Sequence, residues 1–109
     1  MNKVSIIGNV TKDLDLKTSG DGSTSYVQFT VAINEYIKDS KETRAIFIEV
    51  VAFGRKAEVL AIHLSKGNKI AIDGKLNTSS YINKTGTKNY RTNVIVEEFT
   101  FVDSKKAIS

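Results

Sequence analysis

A chain of 109 residues has room for one domain with a single buried core. Its 40% hydrophobic and 26% charged content is that of a globular protein, and the lack of cysteine excludes a disulfide framework, a thiolate metal site and a thiol nucleophile. No apolar run approaches the ~20 residues that cross a bilayer, and a net charge of +4 with a pI near 9.3 admits a polyanionic partner without requiring one.

The N-terminus alternates as a strand does and lacks the apolar core of a secretion signal, so a cytoplasmic location is the simplest expectation. Val4, Ile6, Gly8 and Val10 alternate with Ser5, Ile7 and Asn9 to make the first strand. After the turn-rich Thr18-Ser19-Gly20-Asp21-Gly22-Ser23, a second strand resumes with Val27, Phe29, Val31 and Ile33 on a buried face and Tyr26, Gln28, Thr30 and Asn34 opposite. The charged Lys38-Asp39-Ser40-Lys41-Glu42 reads as an exposed connection. A third strand follows from Ala45 to Phe53. Ala57, Leu60, Ala61 and Leu64 then recur at helical spacing, with Gly54 ahead of them and Gly67 behind, where a helix would end in a left-handed residue. Lys69 to Thr78 is the fourth strand, Asn83-Lys84-Thr85-Gly86 a hairpin turn, and Asn89 to Val96 the fifth, with an extension through Phe101 open. The expected class is all-β. A five-stranded Greek-key barrel with one short helix between strands 3 and 4 is the OB-fold plan. An SH3-like barrel and a small sandwich are the competing architectures. Residues 1–103 form the expected domain, and residues 104–109 a short C-terminal tail.

Charge is unevenly spread. Residues 1–54 carry six basic and seven acidic side chains, and residues 55–109 carry ten and five. From Gly74 to Val94 there are four basic residues, Lys75, Lys84, Lys88 and Arg91, and no acid. Such a segment can track a phosphate backbone or simply keep a hairpin soluble. The strand Ala45–Phe53 is more informative. Ile46, Ile48, Val50 and Ala52 supply a complete core row, which leaves Phe47 and Phe53 on the other face with Glu49, a residue poorly suited to deep burial. Base stacking would explain two such rings, since every base has a π-face and each stack is worth about 1–3 kcal/mol. Coverage by a second layer, such as a subunit interface, would explain them as well. Tyr81 and Tyr90 flank the hairpin among its cations, and Tyr36 lies beside Lys38, inviting the same two readings. Phe29 belongs to the core. Tyr26, Phe99 and Phe101 fit core or interface packing.

No catalytic constellation is visible. His63 is the single histidine and lies off the apolar stripe of the helix. Asp13 and Asp15 have no third partner at ligand spacing, so no metal or cofactor is expected. Neither a phosphate-binding GxxxxGK[ST] loop nor a GxSxG nucleophile elbow occurs.

Five motifs in order resemble the bacterial and phage single-stranded DNA-binding protein family. They are Asn2-Lys3-Val4-Ser5-Ile6-Ile7-Gly8-Asn9-Val10-Thr11-Lys12-Asp13, Val31-Ala32-Ile33-Asn34-Glu35, and the block Glu49-Val50-Val51-Ala52-Phe53-Gly54-Arg55-Lys56-Ala57-Glu58-Val59. Lys66-Gly67 with Ile70-Ala71-Ile72-Asp73-Gly74-Lys75, and Thr78-Ser79-Ser80-Tyr81 with Gly86 and Tyr90, complete the set. The resemblance covers residues 2–103. It implies an OB fold, a homotetramer (a dimer being the alternative), and sequence-independent single-strand binding that keeps strands unpaired in DNA replication, recombination or repair. Position by position it puts stacking aromatics at Phe47, Phe53 and Tyr81. Strand-facing cations fall at Lys3, Arg55 and Lys17.

The sequence departs from the family in three ways. It has no tryptophan, so its rings stack over less area. Its loop after Asn34 is short, leaving the register of Tyr36 and Ile37 open. It ends Asp103-Ser104-Lys105-Lys106-Ala107-Ile108-Ser109, without the family's long linker and acidic tip. Recruitment of other proteins by an acidic tail is therefore not expected; either the sequence is cut short or it is a short form, as in phage-encoded, plasmid-encoded or competence relatives, the second being the expectation slightly favoured. The rival reading is a primosomal OB-fold accessory protein acting mainly as a docking partner in replication restart.

Overall fold

The chain folds, in a computed structural model that describes residues 1–38 and 42–102, into a barrel with one helix. Strand β1 covers Val4–Val10, β2 Lys17–Thr18, β3 Ser25–Tyr36 and β4 Thr43–Phe53; helix α1 covers Gly54–His63, and β5 Lys69–Ile82 and β6 Lys88–Phe101 follow. The expected tail, residues 104–109, and Asp39, Ser40 and Lys41 of the β3–β4 connection lie outside the described residues.

The sheet order is β1-β5-β6-β4-β3-β2, and β1 also pairs with β3 through Asn9 opposite Ala32 and Val10 opposite Val31. That second pairing closes β1, β5, β6, β4 and β3 into a five-stranded barrel. One seam, Val50 and Val51 beside Val94 and Ile95, is parallel, while the other pairs are antiparallel. This is the OB-fold plan expected above. The short β2 is an extra ribbon on β3 outside the ring, so α1 falls between the fourth and fifth strands in chain order rather than the third and fourth.

Period-two alternation builds the interior. Val27, Phe29 and Val31 of β3 meet Val50 and Ala52 of β4, Ile70 and Ile72 of β5, and Val94 and Val96 of β6 in one cluster. α1 adds Ala57 and Leu60, and Leu64 follows it into the same core. The helix is too short to be stable alone, so burial of that stripe is what holds it.

Two local features differ from the sequence reading. The helix stops at His63, Leu64 is already extended, and Gly67, with φ 91°, belongs to the following turn, where its N–H donates to the Val10 carbonyl. β5 and β6 also run longer than expected, pairing as far as Ile82 opposite Lys88. Beyond Lys75 the ribbon leaves the barrel, nearly every residue of β5 is exposed, and no hydrophobic alternation marks it. At the base of this ribbon sits a β-bulge between Asp73 and Gly74. A side chain at Gly74 would collide with the Ile95 carbonyl, so only glycine lets the two strands cross there.

Candidate nucleic-acid interface

Residues opposite one another in the ladder share a face, so pairing turns the outward rows of separate strands into one surface. Tyr26 lies opposite Phe53, Gln28 opposite Val51, Thr30 opposite Glu49, Ala32 opposite Phe47, and Tyr36 opposite Thr43. On the hairpin, Lys75 lies opposite Ile95, Asn77 opposite Asn93, Ser79 opposite Arg91, and Tyr81 opposite Asn89. The parallel seam, with Val51 beside Ile95, joins the two halves. Phe47, Phe53, Tyr81, Tyr36 and Arg91 therefore share the outer face of β3, β4, β6 and β5.

The rings on this face stand in the open. Phe47 is 64% exposed and Phe53 47%, against the burial expected of phenylalanine. Phe53 is held in place from two sides. Tyr26 packs against it, with ring centroids 6.4 Å apart and planes tilted by 41°. The chain turns into α1 directly after it through Gly54, whose φ of 64° a side chain would strain. Beside this pair lies a groove of about 590 Å³. Val51 and Ile95 form its apolar floor, Gln28, Asn77 and Asn93 line it with amides, and Ser19 and Thr24 stand at its rim. Asn93 Oδ1 is buried there without a hydrogen-bond partner.

Glu49 and Arg91 meet on this face. Arg91 Nε donates to Glu49 Oε1 at 2.8 Å, and Nη2 donates to Oε2, a two-armed contact between β6 and β4. The hydrogen bonds and charge of Glu49 push the Arg91 guanidinium above its ordinary pKa, so it stays a cation throughout the working range. The sequence pattern that kept Glu49 from deep burial was sound; its partner could not be read without the strand pairing.

The other expected site residues are spread more widely. Lys75 belongs to the outer row of β5, exposed, and Lys17 sits on β2 opposite Tyr26. Lys17 lines a hollow with Lys12, Asp13, Asp15 and Glu49, so acids share its surroundings. Arg55 is exposed on the first turn of α1, immediately after Phe53. Lys3 is exposed ahead of β1, where the side-chain amide of Asn2 exchanges two 2.9 Å hydrogen bonds with the Leu76 backbone and ties the N-terminus to β5. Lys84 is exposed in the hairpin turn.

Tyr90 is not brought to this face. It lies opposite Ser80, one residue out of step with Tyr81, and so occupies the reverse side of the ribbon, with Lys88 Nζ 5.8 Å from its ring centroid. Tyr26, by contrast, was underrated by sequence reasoning. Its place in the polar row of β3 was legible, but its contact with Phe53 follows only from the register. Phe99 packs against the core, and Phe101 meets both Phe99 and His63 edge-on, at 5.4 and 6.0 Å. Among the described residues no group of three His, Cys, Asp or Glu side chains is placed to hold a metal ion. Among the same described residues no helix is long and apolar enough to cross a membrane.

Comparison with known proteins gives a consistent picture. Residues 1–102 match the single-strand binding protein family. The chain is 40% identical over 104 residues to the single-stranded DNA-binding protein of Clostridium perfringens, spanning 95% of this chain and 67% of that one. It is 38% identical over 103 residues to single-stranded DNA-binding protein 3 of Clostridium acetobutylicum, covering 94% and 72% of the two chains. A Staphylococcus aureus single-stranded DNA-binding protein is 33% identical over 108 residues, covering 98% and 69%.

Proposed function

The chain belongs to the single-strand binding protein family, and from that premise we propose how it holds its ligand. It binds single-stranded DNA, with the general role of the family in replication and repair. Bases stack on Phe47, Phe53 and Tyr81, with Tyr26 backing Phe53 and Tyr36 extending the row. Phosphates are met by Arg91, Lys75, Lys17, Arg55 and Lys3. Tyr90, Lys88 and Lys84 serve the reverse side and tip of the hairpin, where a longer strand wraps. No bond is made or broken: the protein acts in the bacterial cytoplasm by occupying strands and so blocking their reannealing and digestion.

The observation that carries this reading is the uncovered aromatic face. Aromatic side chains as open as Phe47, at 64%, and Phe53, at 47%, are costly in water unless something flat covers them, and bases fit that need. Duplex cannot present its bases to the rings without unpairing.

Self-association into a tetramer is part of the proposal. Among the described residues, Val4 to Gly8 of β1 pair on one side only, with β5, and Ile7 on that edge strand is 56% exposed. An apolar strand edge of this kind is suited to pairing with a second copy.

The test is fluorescence polarisation with labelled oligo-dT and a matched duplex across a salt series. Wild type should bind oligo-dT far better than duplex, with affinity falling as salt rises. Phe47→Ala and Phe53→Ala should each weaken oligo-dT binding by about five- to a hundredfold, the equivalent of one lost stack. Equal binding to both nucleic acids, or no effect of either substitution, would favour a docking surface instead.

A further inference from the structure

Glu49 is a charged group on the outer face for which strand binding has no evident use. An acid is out of place among aromatics and cations that face a polyanion, yet this carboxylate lies on β4 in the same outward row as Phe47 and Phe53. It occupies two donor positions of Arg91, the Nε and Nη2 edge with which an arginine grips a phosphate bidentately. The Arg91 side chain is 58% exposed against 27% for Glu49, so the guanidinium stays within reach of a phosphate arriving from solvent.

We propose that Glu49 is an internal competitor of the DNA strand for Arg91, and that binding exchanges the carboxylate for a backbone phosphate. The inference rests on the proposed phosphate contact at Arg91 and deepens it. A strand running between the rings of β4 and Tyr81 crosses the Arg91–Glu49 pair. Its phosphate must displace the carboxylate to reach the Nε edge. Lys12 and Lys17 line the hollow that Glu49 also lines and supply cations toward which it can turn. The pair thus lowers affinity and hides one cation from the free protein's field. Weaker holding in turn favours release of the strand when another protein needs it.

The experiment compares wild type, Glu49→Gln, Arg91→Ala and the double variant for binding to labelled oligo-dT over a salt series, with thermal melting to establish that each is folded. Gln keeps the shape and an acceptor but loses the charge. Glu49→Gln should bind about fivefold tighter at low salt, because Arg91 then meets the phosphate without first giving up a carboxylate. Arg91→Ala should bind more weakly than wild type, and adding Glu49→Gln to it should restore nothing. Competition is overturned if Glu49→Gln binds no tighter while Arg91→Ala still binds weakly, since the carboxylate then orients Arg91 instead. It is also overturned if the gain persists without Arg91, because Glu49 then acts only through general charge. If Arg91→Ala changes neither affinity nor slope, the phosphate contact itself fails, and the competition with it.

Discussion

Asp21 organises the turn that forms the rim of the aromatic groove. Its Oδ1 accepts hydrogen bonds from the hydroxyls of Ser19 and Ser23, each at 2.7 Å, and from the Ser23 amide at 3.0 Å, while Ser19 Oγ accepts from the Thr24 amide. The Ser19 hydroxyl foremost, and then the Ser23 amide and hydroxyl, hold the Asp21 carboxyl at about 2, below its ordinary 3.8. The folded turn prefers the ionised form. Its contribution is therefore complete above the ordinary value and is lost as pH falls through the folded one. Between about pH 4 and pH 2 the Ser23 and Thr24 amide resonances should shift and exchange faster, with the barrel core unchanged. Asp21→Asn should abolish that pH dependence, and NMR titration reads both. The composition Ser-Gly-Asp-Gly-Ser announced a turn in the sequence; that Ser19 and Thr24 reach the groove beside Phe53 did not follow from it.

At the scale of elements, the β5–β6 hairpin behaves as two surfaces on one ribbon. Tyr81 and Tyr90 look equivalent in sequence, each beside cations and each flanking the turn. Pairing of Ser80 with Tyr90 and of Tyr81 with Asn89 sends them to opposite sides. Tyr81 joins the outer face with Phe47 and Phe53, whereas Tyr90 shares its side with exposed Leu76 and Ile82. Tyr81→Ala should consequently weaken binding of short and long oligo-dT alike, by about five- to a hundredfold. Tyr90→Ala should leave the short oligonucleotide almost untouched and weaken only a strand long enough to wrap the hairpin. Polarisation titrations over a length series separate the two. The faces of the barrel strands were legible because one side of each is buried. On the exposed ribbon both sides are polar or mixed, and period alone says nothing of which side meets the barrel's outer face.

For the whole molecule, closure is the decisive event. The ring is completed by two residue pairs between β1 and β3, leaving the first part of β1 with an unpaired edge and Ile7 in the open. Sedimentation or light scattering should give a mass several times the 12.0 kDa of one chain, and Ile7→Glu should shift it toward the single chain, by placing a charge where a second copy would pack. The sequence by itself determined the five barrel strands in chain order, though not the short β2, together with the helix and the inward rows, because period-two and period-3.6 burial are local signals that every side chain carries. It also marked Phe47 and Phe53 as outward, since Ile46, Ile48, Val50 and Ala52 had already filled the core row. Only the tertiary structure decided that Tyr26 stands against Phe53, that Arg91 is held by Glu49, and that Tyr90 turns away. Those are contacts between residues far apart in the chain, and they depend on register, where a slip of one residue reverses every face.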